Sequence, residues 1–345
     1  MSRSGHFLSC ARDRYPDGRR RWQAAPGRSP RARSRQSREA SQLKKHPQMG
    51  YRYAMKEKDE PAAAYPATLA VEIEDQTSWP PEFLGAVQES RELILAYQRE
   101  RLRIDRMGYQ DVSVRINPPK NRHQYEYSKL IAPLETVLTR HRIVGYHCTR
   151  LTPGEISGIK SGGMRLFTSE LVKRRLGQCR DDGHLSRKEF EYLSCSENIR
   201  SSLNNKCGTR TGMIWFCPNR STLQESSGVY RLFRHWGGEA VYGGHEDDPN
   251  ITATLCRIGT PCIIKCAIQF SLARQFHINF TERFLSQFIS KDAEYPEPPA
   301  GFDLYTKHDL PSSGVLKIIE YSDPEFEALT GSHVWPAGHA INPLN

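Results

Sequence analysis

The first 60 residues of this chain lack the hydrophobic periodicity that a folded segment requires. They are rich in Arg, Ser, Pro and Gly, and they carry 16 Lys/Arg against 6 Asp/Glu. A segment of this composition buries too little apolar surface to offset the conformational entropy that it would lose on ordering. The sequence therefore predicts a disordered, arginine-rich tail over residues 1–60, followed by a folded body of about 285 residues.

The net charge of +10 also belongs to this tail, because residues 61–345 carry 33 basic and 33 acidic side chains. Runs of arginine can hold nucleic acid by releasing its counterions. Binding of nucleic acid by the tail is therefore one interpretation of the basic charge, and a solvated leader without a partner is the other. The balanced body gives no separate reason to expect a nucleic-acid-binding surface.

Hydropathy and cysteine usage both favour a cytoplasmic protein. The sequence has no run of about 18 apolar residues, so no membrane span is expected, and it has no apolar core of a secretory signal. Its nine cysteines are scattered without a CxxC pair, and several lie in apolar runs, as reduced thiols usually do. The cysteine and histidine spacing matches no standard zinc pattern, so no metal site is predicted.

Hydrophobic periodicity begins near residue 78 and is helical at first. Apolar positions recur at helical spacing from Phe83 to Leu102, which predicts one long amphipathic helix that ends at Gly108. A second helix is predicted over 127–141. Short β-rich runs begin only after this helical region, over 142–150, 212–217, 239–242, 262–270 and 315–321.

The order of these elements predicts the fold class. Helical segments are expected between the strands, over 155–160, 171–177, 187–193 and 230–236. The long connections and the absence of a glycine-rich phosphate loop argue against a doubly wound parallel sheet. We therefore predict an α+β fold, with a helical region over 78–141 and a mixed or antiparallel sheet in a domain over 142–325.

Reactive and aromatic side chains concentrate on three of the predicted strands. The patterns are YHCT over 146–149, GMIWF over 212–216 and GEAVY over 238–242. Taken singly, His147 can be a satisfied core histidine and Trp215 one half of a buried aromatic pair. In this order, the three patterns resemble the ADP-ribosyltransferase fold of the diphtheria-toxin and poly(ADP-ribose) polymerase type. That family has an H-x-T strand, a G-x-Y-F strand followed by a serine, and a later strand that begins with a glutamate.

The resemblance implies that NAD is a substrate of this chain and that Glu239 is the catalytic residue. Transfer from NAD breaks a glycosidic bond through an oxocarbenium-like centre. A carboxylate beside the ribose can hydrogen-bond its 2′-hydroxyl and stabilise the positive charge.

The resemblance also implies a set of residues that bind NAD. His147 and Thr149 would hold the adenosine ribose, and Trp215 would stack on the nicotinamide. Ser221 lies near the position of the family's serine, and Tyr230 would supply a second ring. Two positions depart from the family pattern, because Trp215 stands for its tyrosine and Cys148 for the glycine that follows the histidine.

The function implied is NAD-dependent transfer of ADP-ribose to a macromolecular acceptor, a protein or a nucleic acid, in a toxin or defence role. An alternative within the same fold is an RNA 2′-phosphotransferase-like enzyme, which would also consume NAD. A further alternative, from another class, is a non-catalytic scaffold or nucleic-acid-binding protein whose contacts come from the arginine-rich tail.

Overall fold

The computed structural model of the chain describes residues 69–204, 211–275, 279–290 and 301–336, together with residues 339 and 341. The tail predicted over residues 1–60 lies outside the described residues. The predicted helical region and most of the predicted sheet domain lie within them, so their elements can be compared with the structure one by one.

Helices follow the short first strand, separate most of the later strands and include one after the last strand. The helices before the second strand are α1 (Pro81–Glu89), α2 (Arg91–Gln110), α3 (Val112–Ile116) and α4 (Gln124–Leu138). Those between the strands are α5 (Pro153–Gly162), α6 (Ser169–Asp181), α7 (Arg187–Cys195), α8 (Glu197–Leu203), α9 (Arg220–Leu223), α10 (Ser226–Arg234), α11 (Glu239–Tyr242), α12 (Pro249–Arg257) and α13 (Phe280–Ile289), with α14 (Pro324–Thr330) last. None of these described helices is long and apolar enough to cross a membrane.

The strands form one mixed sheet and a separate pair. They are β1 (Ala70–Val71), β2 (Arg142–Leu151), β3 (Ile214–Phe216), β4 (Thr260–Gln269), β5 (Leu304–Thr306) and β6 (Val315–Glu320). The sheet has the order β1-β2-β4-β6, in which β1 runs parallel to β2 and the other neighbours are antiparallel. Strands β3 and β5 pair antiparallel. The combination of helices and a small mixed sheet confirms the coarse fold class predicted from the sequence.

Reciprocal backbone hydrogen bonds connect the strand pair to the edge of the main sheet. The amide of Tyr146 donates to the carbonyl of Cys217, and the amide of Cys217 donates to the carbonyl of Tyr146, both at 2.9 Å. The bridge lies just past the end of β3, so it brings the predicted GMIWF strand alongside the predicted YHCT strand.

Two hydrophobic clusters cover the two faces of the sheet. Successive side chains of a strand point to opposite faces of the sheet. On one face, Ile143 of β2 and Ile264 of β4 pack with helices α1, α2, α4 and α13. Val144 and Ile263 pack on the other face, with helices α10 and α14. A third cluster is built from helices α6, α7, α8, α11 and α12 around the buried ring of Trp236.

One predicted helix is interrupted in the structure. The periodicity from Phe83 to Gly108 predicts a single helix, but α1 ends before Ser90 and α2 begins after it. The amide of Ser90 still bonds to the carbonyl of Ala86 at 3.1 Å, so the chain turns there without losing this bond. Serine favours helix ends because its side chain competes for backbone hydrogen bonds.

Candidate functional site

Strand β2 distributes the residues of the YHCT pattern between two faces of the sheet. Because successive side chains of a strand point in opposite directions, Tyr146 and Cys148 face the cluster of α10 and α14. His147 and Thr149 face the side covered by α5 and the N-terminal helices. The two halves of the pattern therefore have different surroundings.

His147 contacts the strand that carries Trp215. Its Nδ1 atom lies 2.8 Å from the carbonyl oxygen of Trp215, a residue 68 positions further along the chain. Its ring meets the ring of Phe216 edge-on, with 6.0 Å between the ring centroids. These contacts hold the half-buried imidazole against the strand pair.

The close approach of β3 depends on Gly145. A Cβ atom on this residue would lie only 2.8 Å from the Cβ of Phe216 and 3.2 Å from Ile268. Any side chain there would displace β3 or β2, so the glycine permits the contact between His147 and Trp215.

Trp215 belongs to an aromatic pair across the β3–β5 ladder. It lies opposite Tyr305, and the two ring centroids are 5.0 Å apart at an interplanar angle of 37°. Trp215 is partly accessible, whereas Tyr305 is buried. Of this pair, only the partly accessible indole of Trp215 can meet a planar ring from outside the chain.

Ser221 is held by a glutamate that follows β1. Its hydroxyl donates to Oε1 of Glu74 at 2.5 Å, and the amides of Arg220 and Ser221 donate to Oε2 at 2.8 and 3.3 Å. Glu74 therefore accepts hydrogen bonds at the start of α9, where amide groups lack partners within the helix. These bonds give Ser221 a structural role in addition to the binding role predicted for it.

Tyr230 stacks on a histidine near the end of the described chain. The rings of Tyr230 and His339 are nearly parallel, with centroids 4.1 Å apart, and Nδ1 of His339 lies 3.0 Å from the hydroxyl oxygen of Ser226. The second ring predicted for the site is therefore already stacked within the chain.

The predicted strand over 239–242 is wrong, because these residues form helix α11. Gly238 precedes the helix with a φ of 75°, a conformation that favours glycine, and the amide of Gly243 bonds back to the carbonyl of Glu239 at 2.8 Å. Gly237 and Gly238 both have a positive φ just before a single helical turn forms. A short β-rich sequence motif cannot reveal this backbone conformation, which glycine adopts readily.

Glu239 is exposed at the first position of α11, and its charge interacts with Arg231 of α10. Arg231 also pairs with Glu246 and lies over the ring of Tyr242. Helix α10 packs on the sheet face opposite to that of His147. The structure thus joins the His147 side chain to the backbone of Trp215, with Thr149 on the face of His147, and gives Ser221, Tyr230 and Glu239 different neighbours.

A polar cluster on the Tyr146 face was not predicted from the sequence. The carboxylate of Glu72, just after β1, accepts from Nζ of Lys265 at 2.7 Å and from the hydroxyl of Tyr146 at 3.2 Å. Arg220 also donates to Glu72, and its Nε donates to the Tyr146 oxygen at 3.0 Å. One carboxylate therefore gathers two cations and a phenol.

Together, burial and neighbouring charges lower the pKa of Glu72 and raise the pKa of Tyr146. Burial raises the pKa of Glu72, but the hydrogen bonds and charges of Lys265 and Arg220 outweigh it and hold the pKa below its usual value. Burial, together with the charge of Glu72, raises the pKa of Tyr146 to about 12. At neutral pH the cluster therefore holds an ionised carboxylate and a protonated phenol.

The sequence did contain a signal for this cluster. Lys265 is the only charged residue of β4, whose other positions are mostly apolar. A charge inside a buried strand needs a partner because its desolvation is costly. The identity of that partner, 193 positions away at Glu72, was not visible in the sequence.

Comparisons of the chain with protein-family models, with curated proteins and with solved structures each found no match.

Proposed function

We propose that this chain binds NAD and transfers its ADP-ribose unit to a macromolecular acceptor. The observation that carries the proposal is the contact between the His147 imidazole and the backbone carbonyl of Trp215, two residues that the resemblance to ADP-ribosyltransferases assigns to one NAD site. Their contact at 2.8 Å spans 68 positions of the chain.

The contact also defines the chemistry of the imidazole. A carbonyl oxygen only accepts hydrogen bonds. Nδ1 of His147 therefore carries a hydrogen and donates a hydrogen bond to the backbone carbonyl of Trp215. In the neutral ring Nε2 is then an acceptor. An acceptor at this position suits a ribose hydroxyl, and Thr149 lies two positions further along the same face.

The partly accessible indole of Trp215 suits the nicotinamide ring. A planar leaving group stacked there would be held in one orientation relative to the ribose, which lowers the entropic cost of reaching the transition state. Tryptophan in place of the family's tyrosine enlarges the stacking surface.

In the transfer step, the bond between C1′ of the ribose and the nicotinamide nitrogen breaks, and nicotinamide leaves with the electron pair. A nucleophile of the acceptor forms the new bond to C1′ and loses its proton to solvent. We assign the carboxylate that stabilises the positive ribose to Glu239, which is accessible at the start of α11. Because its described neighbours differ from those of His147, binding and transfer are tested by separate variants.

Titration calorimetry of the full chain with NAD tests binding, and release of nicotinamide with water as the acceptor tests turnover. We expect His147→Asn to weaken NAD binding at least about tenfold, while the exposed His308 supplies the matched control variant His308→Asn. Glu239→Gln should keep NAD binding and abolish nicotinamide release, and Glu197→Gln, an exposed carboxylate on α8, should change neither.

The outcomes separate the alternatives. Absence of NAD binding by the wild-type chain would exclude the proposal and favour a non-catalytic role. Nicotinamide release that appears only with 2′-phosphorylated RNA would favour RNA 2′-phosphotransfer. Unchanged turnover in Glu239→Gln would remove the catalytic role from Glu239.

A further inference from the structure

A cavity opens beside the polar cluster on the sheet face opposite His147. Its volume is about 320 Å³, and its lining includes Tyr146, Arg220, Lys265, Glu325 and Ala328. We propose that this cavity binds a small molecule through a carboxylate or phosphate oxyanion. The volume lies at the lower end of the range that holds small ligands.

The donors converge from three separate parts of the chain. Lys265 comes from the middle of β4, Arg220 from the start of α9 and Tyr146 from β2, and all three meet through Glu72. Side chains that are fixed by one another lose little entropy when a ligand binds. The cations are thus held in place at the wall of the cavity.

These donors are only partly used by their own cluster. Lys265 gives one hydrogen bond to Glu72 although an ammonium has three donors. The described bonds of the Arg220 guanidinium involve Nε and Nη2, which leaves Nη1 for a ligand. Lys265 and Arg220 thus present positively charged hydrogen-bond donors at this wall, beside the carboxylate that they share.

The carboxylate on the opposite wall has a cation of its own. Glu325 is paired with Lys317 at 2.6 Å, and Lys317 also pairs with Asp323 at 2.9 Å. Ala328 and the half-buried Leu329 complete the wall with apolar surface. The cavity therefore suits a small anion that has a short apolar body.

Lys317 provides a matched control for Lys265. The two lysines lie directly opposite each other in the ladder between β4 and β6, yet each is bound to different carboxylates. Replacing either with methionine removes one positive charge from neighbouring positions. Of the two lysines, only Lys265 lines the cavity. A specific site therefore predicts a larger loss of oxyanion binding when Lys265 is replaced, whereas a diffuse positive field predicts similar losses for both lysines.

Titration calorimetry of the full chain with sodium phosphate and, separately, sodium butyrate tests the proposal, with sodium chloride at equal ionic strength as the reference. We expect saturable binding of at least one oxyanion, and its preference for phosphate or carboxylate identifies the head group. Lys265→Met should weaken this binding at least about tenfold, whereas Lys317→Met, which acts only by leaving Glu325 without its partner, should weaken it less than about threefold.

A second variant separates loss of binding from loss of folding. Ala328 is exposed on α14, so Ala328→Trp should fill the cavity without changing any charge and should abolish binding in a chain with a wild-type circular dichroism spectrum. Absence of saturable binding to both oxyanions would overturn the proposal, as would equal losses in the two lysine variants or full binding by Ala328→Trp. These tests involve neither His147 nor NAD, so the two proposals stand or fail separately.

Discussion

The indole nitrogen of Trp236 donates a hydrogen bond of 3.0 Å to Oε2 of Glu155. The same carboxylate pairs with Arg175 at 2.5 Å and completes a capping box with Thr152 at the start of α5. The side chains of Glu155 and Arg175 are only 13% and 17% exposed. One largely buried carboxylate therefore connects α5, α6 and the segment that follows α10.

Removal of this carboxylate should destabilise the fold strongly. Glu155→Ala leaves Arg175 largely buried without its partner, and we expect the free energy of unfolding to fall by about 3–5 kcal/mol. Urea denaturation measures this change. The control is Glu191→Ala, which breaks an exposed pair with Arg187 and should have little effect. Similar losses in the two variants would contradict a special role for Glu155.

The Glu155 cluster should also make stability depend on acid pH. Burial raises the pKa of Glu155, but Arg175 and the hydrogen bonds outweigh it and hold the pKa below the ordinary value of 4.5. The contribution of Glu155 is therefore complete above about pH 4.5 and is lost as the pH falls through the folded-state pKa. Between about pH 5 and pH 3, the free energy of unfolding of the wild type should fall more steeply than that of Glu155→Gln. Urea unfolding at several pH values measures both slopes, and equal slopes would exclude this linkage.

A second pH dependence should come from His235, which is buried and has Nδ1 3.1 Å from the carbonyl of Arg231. Burial lowers its pKa from 6.5 to about 4. As the pH falls, His235 takes up a proton in the unfolded chain before it does so in the folded chain. Its contribution to the free energy of unfolding is therefore fully present above about pH 6.5 and is lost as the pH decreases toward 4. The loss should be on the order of 2–3 kcal/mol.

The variant His235→Phe should abolish this part of the pH dependence, since the group that titrates is gone. Thermal or urea unfolding from pH 7 to pH 4 measures the effect. The exposed His308 provides the control His308→Phe, which should keep the wild-type slope. A wild-type slope in His235→Phe would show that the pH dependence arises elsewhere.

Gly145 and Gly158 should respond oppositely to the same substitution. A Cβ on Gly145 meets Phe216 at 2.8 Å, whereas a Cβ on Gly158, within α5, meets nothing within 4 Å. We expect Gly145→Ala to lower the free energy of unfolding by about 1–3 kcal/mol through overpacking. Gly158→Ala should raise it by about 0.5–1 kcal/mol through improved helix propensity. Urea denaturation measures both, and a neutral Gly145→Ala would mean that β3 shifts without cost.

Much of the element order could be predicted because periodicity and caps act over a few residues. The strand predicted over 142–150 is β2 (Arg142–Leu151), and the segments predicted over 171–177 and 187–193 lie within α6 and α7. The prediction over 239–242 was wrong where two glycines of positive φ reverse the chain. Helices α12 and α13 were not predicted, although their apolar faces are buried.

The candidate sites were predictable to different degrees. The His147 imidazole and the backbone carbonyl of Trp215 lie on two strands that the sequence predicted, over 142–150 and 212–217. The ion pair of Glu72 with Lys265 joins residues 193 positions apart and depends on the register of β2 against β4. No local pattern contains that register, since a shift of one residue would send each side chain to the opposite face.

Local sequence was enough to place many of the helices and strands, because hydrophobic periodicity, prolines and capping side chains act within a turn or two of the chain. Only the tertiary structure decided which polar side chains share a cavity. Strand pairing and the alternation of side chains put Tyr146 and His147, neighbours in sequence, on opposite faces of one sheet, and that separation gave each of them its own partners.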